Sequence, residues 1–202
     1  MTSDSSVYPA APWRLQGQLW VSLFRVTRGD GGDAGRGYGL YGAAFVSYEP
    51  GSDLAYSELL VARPAGGARV EILDIWVDSP ASMAGGRELW AIPKGLSYFT
   101  LETSHAGPLS RTEWAASAER RPIARARFTD VSRAGVRLPF RSGVRQPGID
   151  GGAPRTAPLR GSSKTLPCRA HWEFAADGPL GWLAGRRPVA SFRMAGFRLS
   201  FG

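Results

Sequence analysis

Lys94 sits in the mostly uncharged run Leu89-Trp90-Ala91-Ile92-Pro93-Lys94-Gly95-Leu96, in a chain that otherwise uses arginine for positive charge, 23 times against two lysines. Arginine cannot act as an amine nucleophile near neutral pH, whereas lysine can once its surroundings lower its pKa. The demand is steep, because an unperturbed lysine pKa near 10.4 leaves only on the order of one amine in a thousand free. Burial or a neighbouring cation must supply the shift; otherwise Lys94 lays its stem along apolar surface with its ammonium in water. No other group competes. His105 and His171 are far apart and lack a nucleophile or metal partner in sequence. The single Cys168 forms no intramolecular disulfide, reads as a small buried or edge residue, and belongs to no CxxC or His/Cys cluster of zinc-site spacing. No metal or cofactor is expected.

The elements that must position Lys94 are strands. Segments 18–26, 38–48, 54–62, 69–78, 97–103, 112–118, 122–128, 168–174 and 189–201 are rich in Val, Ile, Phe, Tyr and Trp and are separated by turn residues. Ile123-Ala124-Arg125-Ala126-Arg127-Phe128 alternates, with Ala124, Ala126 and Phe128 on one face and the arginines on the other. Leu19 to Val26 and Val70 to Val77 carry apolar groups on both faces, as in a closed sheet with a filled interior and an outer covering. Residues 191–201 alternate but change phase at Gly196, which predicts a bulge. Ser79-Pro80 predicts the N-cap and first position of one short helix ahead of Lys94, broken by Gly85-Gly86. Residues 28–37 predict a flexible hairpin connection, and 141–165 a long Pro/Gly/Ser-rich basic loop, either a lid or disordered.

A length of 202 residues suits a single domain over 1–202. The N-terminal residues lack the pattern of a secretion signal, and no run approaches the roughly 18 apolar residues of a membrane span, so a soluble cytoplasmic protein without membrane contact is expected. The net charge of +8 and pI near 10.4 would suit a nucleic-acid binder. The arginines are scattered in ones and twos, however, and no basic helix or aromatic RNA-binding signature is present, which argues against nucleic acid as a partner.

The stretch from Trp76 to Tyr98 holds Gly86-Arg87-Glu88 followed closely by Pro93-Lys94. Pro12-Trp13-Arg14-Leu15-Gln16-Gly17, Tyr56-Ser57-Glu58, and Gly178-Pro179-Leu180 with the strand 189–201 accompany it in order. Over most of its length the chain thereby resembles the acetoacetate decarboxylase family. The resemblance implies an all-β to α+β fold: an antiparallel closed barrel or cone with few short helices, in a homo-oligomer assembled through β surfaces. It also implies that Lys94 forms a Schiff base with the carbonyl of a small-molecule substrate, the protonated imine drawing electrons from the bond that breaks. Glu58 takes the place of a family active-site acid and would act as the general acid or base; the alternative is a carboxylate pairing an arginine. Arg87 and Glu88 would hold the junction after the helix. Gln18 stands where the family's decarboxylases carry an arginine and would face the substrate. Trp76 and Trp90 either line the pocket or pack in the core.

Departures from the family pattern narrow the chemistry. Gly95 replaces a second lysine, Gln18 replaces the arginine, and a second acid aligns near Ala43. With no second cation to receive a substrate carboxylate, retro-aldol, aldol-dehydration or hydration chemistry, or a larger and less anionic substrate, is favoured over decarboxylation of acetoacetate. The alternative is a family member that has lost catalysis and serves as a small-molecule binding protein.

Overall fold

Apolar groups on both sides of Leu19–Val26 require two coverings. Both are present in the computed structural model of the chain, which describes residues 8–28, 36–131 and 135–202. The elements in chain order are β1 (Trp13–Val26), β2 (Gly39–Tyr48), β3 (Tyr56–Pro64), β4 (Arg69–Val77), α1 (Pro80–Trp90), β5 (Gly95–Leu96), β6 (Tyr98–Ala106), β7 (Leu109–Ala118), β8 (Arg121–Val131), β9 (Arg137–Gln146), β10 (Arg155–Pro167), β11 (Arg169–Phe174) and β12 (Ala190–Phe201), with a 3-10 turn at Gly181–Leu183. Seven strands close into a barrel in the order β3-β2-β1-β12-β10-β9-β4, with β4 returning to β3 and β5 hydrogen-bonded beside β4. The neighbours pair antiparallel except at β4, which runs parallel to β9 through Arg69–Val70 and Gly143–Val144 and parallel to β5 through Trp76–Val77 and Gly95–Leu96. A second antiparallel sheet, β11-β8-β7-β6, covers one side of the barrel.

Strand alternation divides the apolar residues between two cores. Trp20, Phe24, Tyr41, Phe45, Leu59 and Val61 point out of the barrel and pack against Trp114, Phe128, Trp172 and Phe174 of the covering sheet. Leu15, Val46, Ile72, Ile75, Phe197 and Phe201 point inward. The expected alternation of β8 is present, with Ala124, Ala126 and Phe128 buried and Arg125 and Arg127 exposed. Gly196 sits in a bulge: Ala195 and Gly196 together oppose Gln18, and φ of +52° there favours a residue without Cβ.

Three expectations are corrected. Segment 141–165 is not a long loop, because its parts lie in β9 and β10, which pair from Gln146–Arg155 to Arg137–Lys164. Only one face of this hairpin is buried, through Val144 and Ala157, so its apolar content is low while its backbone groups are paired. Helix α1 runs unbroken through Gly85 and Gly86, where tight packing takes the place of a side chain. Arginines that stand singly in the sequence are gathered by pairing: Arg137, Arg141, Arg145 and Arg160 are exposed on β9 and β10, and Arg160 lies directly opposite Arg141. Residues 29–35 of the expected 28–37 connection lie outside the described residues.

Like charges directly opposite across two strands oppose pairing. Arg141→Glu therefore should raise stability by about 0.2–1 kcal/mol through a cross-strand pair with Arg160, as read from the midpoint of urea unfolding.

Candidate active site

The N-cap of α1 is Ser79, whose hydroxyl accepts from the Ser82 backbone N–H at 3.1 Å, with Pro80 in the first turn. The helix ends at Ala91 in the left-handed conformation, where the N–H groups of Ala91 and Ile92 bond to the carbonyls of Arg87 and Gly86. That reversal brings Pro93-Lys94 back along the helix. Arg87 Nη1 donates to the Lys94 carbonyl at 3.3 Å. A Cβ on Gly86 would lie 2.7 and 2.8 Å from Cδ and Cε of Lys94, so the glycine leaves the space in which the lysine stem lies. The spacing from Gly-Arg-Glu to Pro-Lys thus has a steric basis.

Gly86→Ala should accordingly displace the amine while helping the helix, since alanine is favoured by up to about 1 kcal/mol over glycine in a helix interior. The expected result is a folded protein whose reaction with carbonyl compounds falls by about 10²-fold, measured by reductive trapping alongside a thermal melt.

Lys94 is 4% exposed and Glu58 3% exposed. The ammonium donates to Ser82 Oγ at 2.9 Å, Glu58 Oε2 at 3.1 Å and the Tyr56 hydroxyl at 3.3 Å. It also lies 5.0 Å from the Tyr56 ring centroid and 5.9 Å from that of Trp13. Tyr48 donates to the other Glu58 oxygen, Oε1, at 3.2 Å. Tyr56 and Glu58, two apart on β3, and Tyr48 on β2 all face the barrel interior.

Burial pulls the Lys94 pKa down, but Tyr56 and the Glu58 carboxylate push it up further, leaving it above the ordinary lysine value. Burial also raises the pKa of Tyr56, and that of Tyr48 well above the usual phenol range. Both phenols are therefore neutral near pH 7, and Glu58 is the charge that holds the ammonium. The expected downward shift at Lys94 is absent in the resting protein, because the amine faces a carboxylate rather than a second cation.

The amine lies at one end of a cavity of about 480 Å³ inside the barrel. Trp13 and Trp90 line that end, edge to face with ring centroids 4.7 Å apart. Of the sequence-derived candidates, Lys94 and Glu58 are brought into contact, while Gln18 and Trp76 are not among the cavity-lining residues. Gln18 faces out of the barrel: its Oε1 accepts from the Gly196 backbone N–H and Arg193 Nη2, each at 3.2 Å, bracing the bulge. Trp76 packs with the outer core and covers Gly95, where a Cβ would lie 3.3 Å from its ring. Ala43 belongs to the same outer core, and its inward neighbours Gly42 and Ala44 carry no acid.

Neither histidine is near the cavity; both are exposed on the covering sheet. The Cys168 thiol is pushed up to about 12, chiefly by burial and then by Asp130, which makes it inert as a nucleophile. Among the described residues, no group of three or more His, Cys, Asp and Glu could hold a metal, and no helix is long and apolar enough to cross a membrane.

Three polar groups at the amine, Ser82, Tyr48 and Tyr56, were not assigned from the sequence. Period-two spacing of Tyr56 with Glu58 was an available signal, as was the run of small residues Ser82, Gly85 and Gly86 along one helix face. Tyr48 joins them through the β2–β3 register, where it stands opposite Tyr56.

Comparisons with known proteins agree with the barrel fold. The acetoacetate decarboxylase family model matches residues 30–160. No curated protein matches the chain. Among solved structures, the enduracididine biosynthesis enzyme MppR complexed with pyruvate is similar, with TM-score 0.72 and 18% identity over 99% of this chain and 91% of that one. The same enzyme complexed with the condensation product of pyruvate and imidazole 4-carboxaldehyde gives TM-score 0.68 and 18% identity over 99% and 90%. Acetoacetate decarboxylase from Legionella pneumophila gives TM-score 0.64 and 18% identity over 99% and 89%.

Proposed function

Because the chain belongs to the acetoacetate decarboxylase family, we propose that it is a Schiff-base-forming enzyme in which Lys94 condenses with the carbonyl of a small molecule and Glu58 carries the proton. The contact that supports this reading is the buried Lys94 amine, 3.1 Å from Glu58 at the end of the barrel cavity.

The proton has a defined route. Glu58 takes one proton from the ammonium, and the freed lone pair adds to the carbonyl carbon as the carbonyl π pair moves to oxygen. That oxygen takes up the proton, and loss of water from the carbinolamine leaves the iminium. The iminium then accepts an electron pair from an adjacent C–H, C–C or carboxyl bond. Tyr56, neutral and 3.3 Å from Nζ, orients the nitrogen and can hydrogen bond to the departing oxygen.

Among the charged residues lining the cavity, Lys94 is bound to Glu58 and Arg63 is bound to Glu71. The lack of a free cation favours removal of a C–H proton, followed by aldol or dehydration chemistry, over decarboxylation of a short keto acid. The aldehyde condensation product held by MppR is in keeping with that preference.

The test is borohydride reduction of the protein with a ketone, followed by intact mass. The reading predicts one reduced adduct per chain, on the peptide that contains Lys94. Absence of an adduct, or its location only on the exposed Lys164, contradicts it. A binding protein without catalysis is the second reading, favoured by the raised Lys94 pKa and by an ammonium whose three donor positions are all taken. It predicts ligand binding with no adduct.

A further inference from the structure

Resting on the Schiff-base reading, we infer that the substrate is a medium-chain apolar ketone or aldehyde whose tail lies along the barrel interior, away from Lys94. The lysine is not in a small chamber of its own. Its cavity, about 480 Å³, lies within the range of pockets that bury drug-sized ligands. Pyruvate or acetoacetate would leave most of that volume unfilled.

The space exists because the inward positions at mid-barrel are small. Gly42 and Ala44 of β2 and Ala62 of β3 line the cavity with a methyl group or less, where larger residues would take up its volume. A Cβ added at Gly42 would only reach ordinary contact with Val21 and Leu23, at 3.7 and 3.8 Å. The cavity extends to the opposite ends of the same strands, where Leu40 and Phe140 form part of its lining and Leu40 is 38% exposed. The lysine end is closed by Trp13 and Trp90, and the far end meets solvent at apolar residues.

The wall between the two ends would not tolerate a charge. An anion carried along it would be desolvated without a partner, at a cost that apolar surface cannot return. Arg63, near the far end, already forms two hydrogen bonds to Glu71. A reactive carbonyl at Lys94 and an aliphatic or aromatic tail toward Leu40 match the polarity at both ends. For the covalent step the atoms and charge balance as in the Schiff-base sequence: ammonium plus carbonyl gives iminium plus water, and no redox partner is required.

A homologous series of methyl ketones, from acetone through 2-undecanone, tests this on the wild-type protein by calorimetry and by borohydride trapping in parallel. Affinity should rise about fourfold with each methylene until the cavity is filled, then level off. Ala44→Phe, which adds bulk at mid-barrel, should bring the plateau to a shorter ketone. Affinities that do not vary along the series, or pyruvate binding more tightly than the longer ketones, would overturn the inference even if adducts form. Chain-length-dependent binding without any adduct would support the apolar site and sink the Schiff-base reading instead. Because the series uses the unmodified protein, a poorly folded Ala44→Phe variant would leave the outcome decided.

Discussion

Lys94→Met should abolish the reducible carbonyl adduct and also destabilise the protein by about 3–5 kcal/mol. The two effects have separate causes. Loss of the adduct follows from loss of the amine. Loss of stability follows from Glu58, which is 3% exposed and would keep its position in the barrel without its counter-charge. Tyr48 still donates to Oε1, but a phenol hydrogen bond does not replace a contacting ammonium. A second substitution separates the causes, since Lys94→Met/Glu58→Gln removes the stranded charge. It should recover most of the lost stability in urea unfolding while remaining unable to form an adduct. If the single variant is as stable as wild type, Lys94 and Glu58 are not paired in the folded protein.

Glu58→Gln should slow turnover by about 10²–10⁴-fold and change its pH dependence. In the wild type, Lys94 has a raised pKa, so its pairing stabilises the fold fully below the unfolded lysine value of about 10.4. That contribution is lost only as pH climbs through the higher folded value. Across the neutral range the pair keeps its proton, and imine formation proceeds by transfer within it, giving a trapping rate that is flat with pH. The glutamine removes a charge that helps to offset burial, so the Lys94 pKa falls. Trapping by the variant then rises with hydroxide concentration until the lowered pKa is passed. A variant profile with the same shape as wild type would show that Glu58 does not handle the lysine proton.

Much of the architecture could be read from residue patterns with direct local causes. The two-faced apolar run at Leu19–Val26 called for a sheet covered on both sides, the phase change at Gly196 marked the bulge, and Ser79-Pro80 located the helix start. The strands of the 137–167 hairpin were harder to read. They bury one face through small or isolated apolar residues and carry Pro, Gly and Arg on the other, so their stability comes from pairing partners remote in sequence.

The same limit applied at the site. Gln18 shares its strand face with Trp20 rather than with Leu19 and Val21, so simple alternation already pointed it away from the interior. Trp76 shares the outer face with Leu73. The direction of the Lys94 shift could not be read locally, because it depends on barrel closure bringing β3 to the end of α1. Thirty-six positions separate Lys94 from Glu58, yet their charged atoms lie 3.1 Å apart. The cavity arises in the same way, from small residues on separate strands that meet only when the sheet closes.

Exchange of carbonyl oxygen with water tests the central chemistry without requiring the natural substrate. A ketone labelled with oxygen-18, such as 2-heptanone, loses its label whenever a reversible imine forms and hydrolyses. Wild-type protein should accelerate that loss, and Lys94→Met should return it to the rate in buffer. No acceleration by the wild type, or equal acceleration by the variant, would contradict Schiff-base formation at Lys94.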